Sequence, residues 1–470
     1  MATFASIFHS CFMYSSLILY LCLFFSLEKG SFAFEARKIA ESQHLQLFHT
    51  IQVSDLLQST SCKNSTKENT AVLKVVHRHG PCSQLNQGNA NAPDLEKILA
   101  EDQSRVDSIH SKLSITSGGS YVKQTDGTRL PANKGLSLGT GNYFVTVGLG
   151  TPRKNLPLIF DTGSDLTWAK CKPGVDAYDP TKSTSYFNIS CTSEICPYVT
   201  SATGMRPDCV SSTCVYGLQY GDGSFSVGFL AKERLSVGST DVFDNFYFGC
   251  GQRNEGLFGK VGGLIGLGRA KLSIVTQTAS KYNKLFSYCL PAYGKTGFLS
   301  FGASQSKSAK FIPLSSNANF YGLELIGIIV GGQKLPISIT VFSRAGTIID
   351  SGTVITRLQP AAYSALRSAF EKAMSKYPKA KPLSILDTCY DFSKYETVSV
   401  PKIVFSFNGA DVEIDQAGIF VANGQAQVCL AFAGNSDARD VAIFGNTQQQ
   451  NFEVVYDVNG GKVGFAPGEC

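Results

Sequence analysis

Two carboxylates occupy the same local setting at distant places in this sequence. Asp161 lies in LIFDTGSDLTW (Leu158–Trp168) and Asp350 in TIIDSGTVITRL (Thr347–Leu358), 189 residues further on (350 − 161). In each, apolar residues lead into the acid, and a hydroxyl residue, a glycine and a second hydroxyl residue follow. A buried strand ending in a tight turn delivers its acid to the floor of a cleft, and Gly163 and Gly352 permit the bend and a close backbone approach. Repetition of the unit points to a duplicated half-domain with one carboxylate from each half.

Two carboxylates at a buried lobe interface cannot both ionise easily. Like charges in a poorly solvating site push their pKa values apart, roughly to 1.5 and 4.7 in a known dyad, so the pair shares one proton. One member then takes a proton from a water while the other protonates or hydrogen-bonds a substrate carbonyl. Such a pair hydrolyses a peptide bond without metal, cofactor or covalent intermediate. The Ser164 and Thr353 hydroxyls are expected to orient the outer carboxylate oxygens. Taken singly, either acid also fits the lesser role of a turn cap; the matched pair argues for chemistry.

Other hydrolytic chemistries lack their parts. All six histidines (His9, His44, His49, His77, His79 and His110) fall in the first 110 residues. The region of the two Asp loops therefore offers no Ser-His-Asp or Cys-His pair and no His-ligated zinc, and no metal or cofactor is expected. The net charge of +6 is small for 470 residues, without the dense Lys/Arg stripes of a dedicated nucleic-acid binder. Fourteen cysteines at irregular spacings read as disulfides made in an oxidising compartment rather than as a zinc site.

The elements that must position the carboxylates follow from the chain in order. Met13–Leu27 is almost wholly apolar and is followed by Ser31-Phe32-Ala33, which predicts a secretory signal peptide over 1–33, although its start carries no Lys or Arg. No other run is long enough to cross a bilayer, and the C-terminus lacks the hydrophobic tail of a lipid-anchor signal. Residues 34–120 read as a propeptide ending between 114 and 135, with a strand in Ala71–Gly80 and a helix in Asp94–Leu113 whose apolar face is 95, 98, 99, 106, 109 and 113. An N-terminal lobe is expected over 135–315, with a cysteine-rich insertion at 171–214, and a C-terminal lobe over 316–470. Abundant glycine (45) and scarce helical periodicity make the body mostly β. Val215–Leu230 reads as a hairpin around Gly-Asp-Gly, and Pro360–Tyr377 as the one clear helix of the second lobe.

These motifs resemble the signatures of pepsin-like aspartic proteases: Asp161-Thr162-Gly163-Ser164, Asp350-Ser351-Gly352-Thr353, Trp168, QYGDGS (Gln219–Ser224), GGLIGLGR and AIFGNTQQQNFEVVYD. The resemblance covers about Gly141 to Cys470. It implies a bilobal, mostly β fold with pseudo-twofold related lobes and a central cleft. Asp161 and Asp350 become catalytic, Trp168 supporting, and Tyr220, Gly221 and Asp222 a flap over a polypeptide substrate, with Gly163 and Gly352 lining the site. WAKCKP, NISCTSEIC, FGCG, LFSYCL and VVHRHGPCS are similar to the plant nepenthesin-type subgroup, which includes plastid nucleoid DNA-binding-protease-like members; no saposin-like insert is present.

By the same resemblance the disulfides are expected to be Cys171–Cys250, Cys191–Cys214, Cys196–Cys209, Cys289–Cys470 and Cys389–Cys429. The sequence departs from relatives at Gly174, where another cysteine is common. A basic propeptide residue, Lys74 or Arg78, is expected to pair with the two acids. His77 and His79 offer a pH-sensitive contact, and Asn64 and Asn188 begin glycosylation tripeptides. The implied activity is that of a monomeric, secreted, acid-acting aspartic endopeptidase made as a zymogen and located in the plant apoplast, with vacuole or plastid as alternatives. The competing readings are an inactive inhibitor-like protein on the same fold, and non-specific DNA binding as an added role.

Overall fold

The computed structural model describes residues 47–56, 61–63, 71–86, 94–117, 143–171, 177–220, 224–256, 260–292, 294–315, 320–424 and 427–468. The expected leader, most of the maturation window, Asn64, Gly221, Asp222 and Cys470 lie outside these residues.

Each acid ends a strand because the residues before it are apolar and bury on both faces. Lys154–Asp161 pairs with Tyr143–Leu149 on one side and, in parallel, with Gly263–Gly266 on the other. Gly263–Gly266 also pairs antiparallel with the Trp168–Lys170 strand, which leaves the first Asp loop threaded between them. The second half repeats the plan. Thr347–Ile349 runs parallel to Ala442–Phe444, and Ala442–Phe444 meets Thr356–Leu358 at Arg357↔Ile443. The apolar-Gly segments lie beneath the two Asp loops as the duplicated pattern requires.

The first half belongs to a 15-stranded sheet that continues through Thr296–Phe301, Leu285–Cys289, Phe452–Asp457 and Lys462–Pro467. The chain's last strands are thus paired with strands of its middle. Aromatic rings fill this junction: Phe286 stacks on Tyr456 at 4.5 Å, and Tyr321 meets the same ring edge-on at 4.6 Å. The second half adds a five-stranded and two four-stranded sheets. Its helix, Pro360–Ala373, begins on a proline at its first turn and buries Ala362, Tyr363, Leu366 and Phe370.

The described segments before residue 120 are built into this body. Val72–His77 is a full member of the large sheet, between Thr296–Phe301 and Tyr143–Leu149, and buries Leu73, Val75 and Val76. At roughly 1.5–3 kcal/mol for each buried side chain, this strand is firmly held. Phe48–Gln52 adds antiparallel to Thr397–Pro401 in the second half. A Cys62–Cys82 disulfide spans the 20 residues around the central strand.

Cys171–Cys250 and Cys389–Cys429 form as expected. The two inner pairs need correction: Cys191 is bonded to Cys209 and Cys196 to Cys214, not Cys191 to Cys214 and Cys196 to Cys209. The hairpin register sets Cys209 directly opposite Cys214. Of these, Cys214 (0 % exposed) faces the core, where Cys196 (3 %) also lies, while Cys209 is at the surface with half-buried Cys191. Inner therefore bonds to inner and outer to outer. Cys289 is also disulfide-bonded; its expected partner, Cys470, lies outside the described residues.

Candidate active site

Asp161 and Asp350, 1 % and 0 % exposed, come together at the junction of the two halves. The loops are tied by a reciprocal grip: the Thr162 amide donates to Ser351 Oγ (3.1 Å) and the Ser351 amide to Thr162 Oγ1 (2.9 Å). Each acid is also turned inward by the amide two residues on, Gly163 N to Asp161 Oδ1 (3.0 Å) and Gly352 N to Asp350 Oδ1 (3.2 Å). The glycines are needed for the approach. A Cβ on Gly163 would stand 2.7 Å from Asp350 Oδ1, and one on Gly352 2.6 Å from Asp161 Oδ1. Any side chain here would push the carboxylates apart.

Thr353 Oγ1 donates to Asp350 Oδ2 at 2.5 Å, the role expected of it. The Ser164 hydroxyl has no hydrogen-bond partner among the described residues, yet it lies close enough to Asp161 to favour the ionised acid. Trp168 is fully buried, and its Nε1 donates to the Tyr220 hydroxyl at 2.8 Å. That bond fixes the base of the hairpin, where the Tyr220 amide donates to Ser224 O across the turn.

The cleft is occupied by the protein's own N-terminal region. Leu95–Ser117 is a helix whose Leu99, Val106 and Ile109 are buried against the second half, beside Ile355 and Leu386 at one end and Phe320 and Ile348 at the other. This packing lays Arg105 across both acids. Its Nη2 donates to Asp161 Oδ1 (2.7 Å) and Asp350 Oδ1 (3.0 Å), and its Nε to Asp350 Oδ2 (2.9 Å). One guanidinium fork thus satisfies two buried carboxylates, the geometry for which arginine is suited. The basic residue on the acids is therefore Arg105, not Lys74 or Arg78. Lys74 is fixed in strand register opposite Phe298, and Arg78 lies near the charge of Glu101.

The electrostatics follow from burial and this one cation. Burial raises the Asp161 pKa, but Arg105, Ser164 and the Gly163 amide together hold it below the ordinary value. Burial also raises Asp350, Arg105 opposes it, and the Asp161 charge tips the balance upward. The pair is thus asymmetric: its surroundings favour the ionised form of Asp161 more than that of Asp350. Nearby, burial pushes Asp165 up to about 6, although it accepts the Ala270 amide at 2.6 Å.

Sequence reasoning missed the polar floor under Asp350. Gln449 Nε2 donates to Asp350 O (3.2 Å) and Asn446 Nδ2 to Ser351 O (3.0 Å), both residues being almost fully buried. The signal was present in NTQQQ, a run of amides placed directly after the apolar AIFG strand.

Two family models match the chain: one described as xylanase inhibitor N-terminal, over residues 143–303, and one as xylanase inhibitor C-terminal, over 320–467. An aspartyl protease family protein of Arabidopsis thaliana is 57 % identical over 440 residues, 90 % of this chain and 93 % of its own. The aspartic proteinase nepenthesin-2 of Nepenthes gracilis is 32 % identical over 398 residues, 80 % of this chain and 86 % of its own. Among solved structures, basic 7S globulin from soybean superposes with a TM-score of 0.57 at 21 % identity, over 69 % of this chain and 90 % of that one. That likeness concerns the fold alone.

Proposed function

This chain belongs to the pepsin-like aspartic protease family, in its plant nepenthesin-type branch, and on that premise we propose that it is an aspartic-type endopeptidase made as a zymogen. The observation that carries the reading is Arg105 bridging Asp161 and Asp350: two acids close enough to share one cation are close enough to share one water. With the helix withdrawn, the pair holds one proton. Ionised Asp161 takes a proton from water, whose oxygen attacks the peptide carbonyl carbon. Asp350 gives its proton to the carbonyl oxygen. Collapse of the tetrahedral intermediate breaks the C–N bond, and the amine leaves with a proton returned by the dyad. Tyr220, held by Trp168, covers an extended polypeptide in the cleft.

Residues 34–120 act as the propeptide and 1–33 as a leader that sends the chain to an oxidising, extracellular compartment, where the disulfides form. Asn188 is exposed and available for glycosylation. The family models' description favours a second reading, a non-catalytic inhibitor. Retention of both acids, the inter-loop grip and the Trp168–Tyr220 bond supports hydrolysis over it.

Acid is the expected trigger. Burial first, then the charges of His79 and Arg78, hold His77 down at about 3; burial, Arg78 and Lys97 hold His79 at about 4. Both are neutral when docked and take a proton readily near pH 6.5 when released. Their contribution to docking is complete above about 6.5 and is lost as pH falls toward 4 and 3, on the order of 3 kcal/mol for His79 by pH 4. Asp161 adds to this, because its depressed pKa also makes docking weaken as acid protonates it. Full-length protein brought from pH 7 to pH 3.5–4 should shed its N-terminal segment and begin to digest a denatured protein (about two to three units below the histidine reference). Replacing His77 and His79 by Gln should move the midpoint of that release to lower pH by about one unit. An unchanged midpoint would exclude the histidines from the trigger.

A further inference from the structure

The same helix makes a second contact that blocking the catalytic acids does not require. Asp102, one turn before Arg105 and 0 % exposed, sits in a pocket of the second half. Its carboxylate accepts the amides of Val354 (2.6 Å) and Ile355 (3.1 Å) and pairs with Arg357 Nη2 at 2.8 Å. Arg357 is itself 1 % exposed and is steadied by its Nη1 bond to Ile355 O (2.9 Å). Its Nε has no hydrogen-bond partner among the described residues. The receptor is thus a guanidinium and two backbone N–H groups, directed at one carboxylate.

All three receptor groups belong to the body of the protein and stay when the helix leaves. Val354 follows Thr353, whose hydroxyl touches Asp350, so the receptor adjoins the catalytic floor. Asp102 and Arg105 are three residues apart, about 4.5 Å along a helix axis. An extended peptide covers that distance in one to two residues. Arg357 also occupies a meaningful place in the duplicated plan. It stands seven residues after Asp350 (357 − 350), as Trp168 stands seven after Asp161 (168 − 161). The first half closes this place with an indole bonded to Tyr220; the second half fills it with a cation whose counter-ion is borrowed from the departing helix. With Asp102 withdrawn, the guanidinium and the two amides lose their anion together, so the emptied pocket favours a replacement carboxylate.

We propose that Arg357 with the Val354 and Ile355 amides forms a carboxylate-binding subsite of the open cleft, which takes an Asp or Glu side chain of the polypeptide substrate within two residues of the scissile bond. The proposal rests on the endopeptidase reading. In the zymogen, Asp102 occupies the subsite as an internal mimic of that acidic residue.

The test uses acid-activated full-length protein and peptides with a fixed apolar pair at the scissile bond. A single Asp, or Asn in its place, is walked over three positions on each side. At one position Asp should exceed Asn in kcat/KM by about tenfold or more, the scale of a charge-assisted hydrogen bond. Within Arg357→Gln the Asp/Asn ratio should fall to near one, and Arg357→Lys should restore part of it; the ratio is read inside each protein, whatever its absolute rate. Binding of reduced-bond, non-cleavable versions of the same peptides to the wild-type protein gives a readout independent of turnover and of any variant's folding. Asp-selective binding without cleavage would overturn the protease reading and keep the subsite. Equal binding and equal cleavage of Asp and Asn peptides at every position would overturn the subsite.

Discussion

Asp161→Asn, or Asp350→Asn, is expected to lower hydrolysis of a denatured protein by the acid-activated chain about 10³-fold or more. Neither change alters shape, since an amide still accepts from the Gly163 or Gly352 amide that orients the native acid. What changes is the proton inventory. Asparagine at 161 cannot take a proton from water, and asparagine at 350 cannot pass one to the carbonyl. The two losses are expected to be equally severe, because each acid works only through the other. The check is initial-rate proteolysis for wild type and both variants, with thermal unfolding as the control for folding. A variant that folds and keeps a tenth of the wild-type rate would remove its acid from the mechanism.

The second large effect concerns latency. Arg105→Ala leaves two buried carboxylates facing each other without their shared cation. Breaking a buried ion pair from one side costs about 3–5 kcal/mol, or roughly 10² to several times 10³-fold in the docking equilibrium of the helix. Full-length Arg105→Ala protein is therefore expected to cleave a test peptide without the lag expected of wild type on acidification. Arg105→Lys, which keeps a charge but not the fork that reaches both acids, should show an intermediate lag. Identical lags in wild type and Arg105→Ala would mean that the strand Val72–His77, rather than the arginine, holds the cleft shut.

The two Asp loops were legible in the sequence because a buried strand, a tight turn and an acid each leave a local signature, and the signature occurs twice. Tyr220 and Trp168 were paired through resemblance, and the Trp168–Tyr220 bond gives that pairing a geometry. Arg105 was not, although its helix was. The apolar stripe of that helix runs through 98, 99, 106 and 109 and is broken at 102 and 105 by Asp and Arg. A charge inside an apolar face asks for a buried partner, and here the partners lie far along the chain, where helical periodicity carries no information. The inner disulfides failed for a related reason. Both observed pairs span 18 residues in crossed order, and only the burial of Cys196 and Cys214 against the exposure of Cys209 separates the inner pair from the outer one.

The central claim, that two carboxylates share one proton and activate water, is tested most directly by the pH dependence of kcat/KM for the activated protein on one peptide. A pair with separated pKa values predicts a bell lying wholly on the acid side, with its lower limb from the member that must be ionised and its upper limb from the member that must keep its proton. Activity should peak below about pH 5, be nearly gone at pH 7, and lose both limbs together in Asp161→Asn and Asp350→Asn. A profile that rises to a plateau at or above neutral pH would contradict the shared-proton account and with it the roles given to both acids.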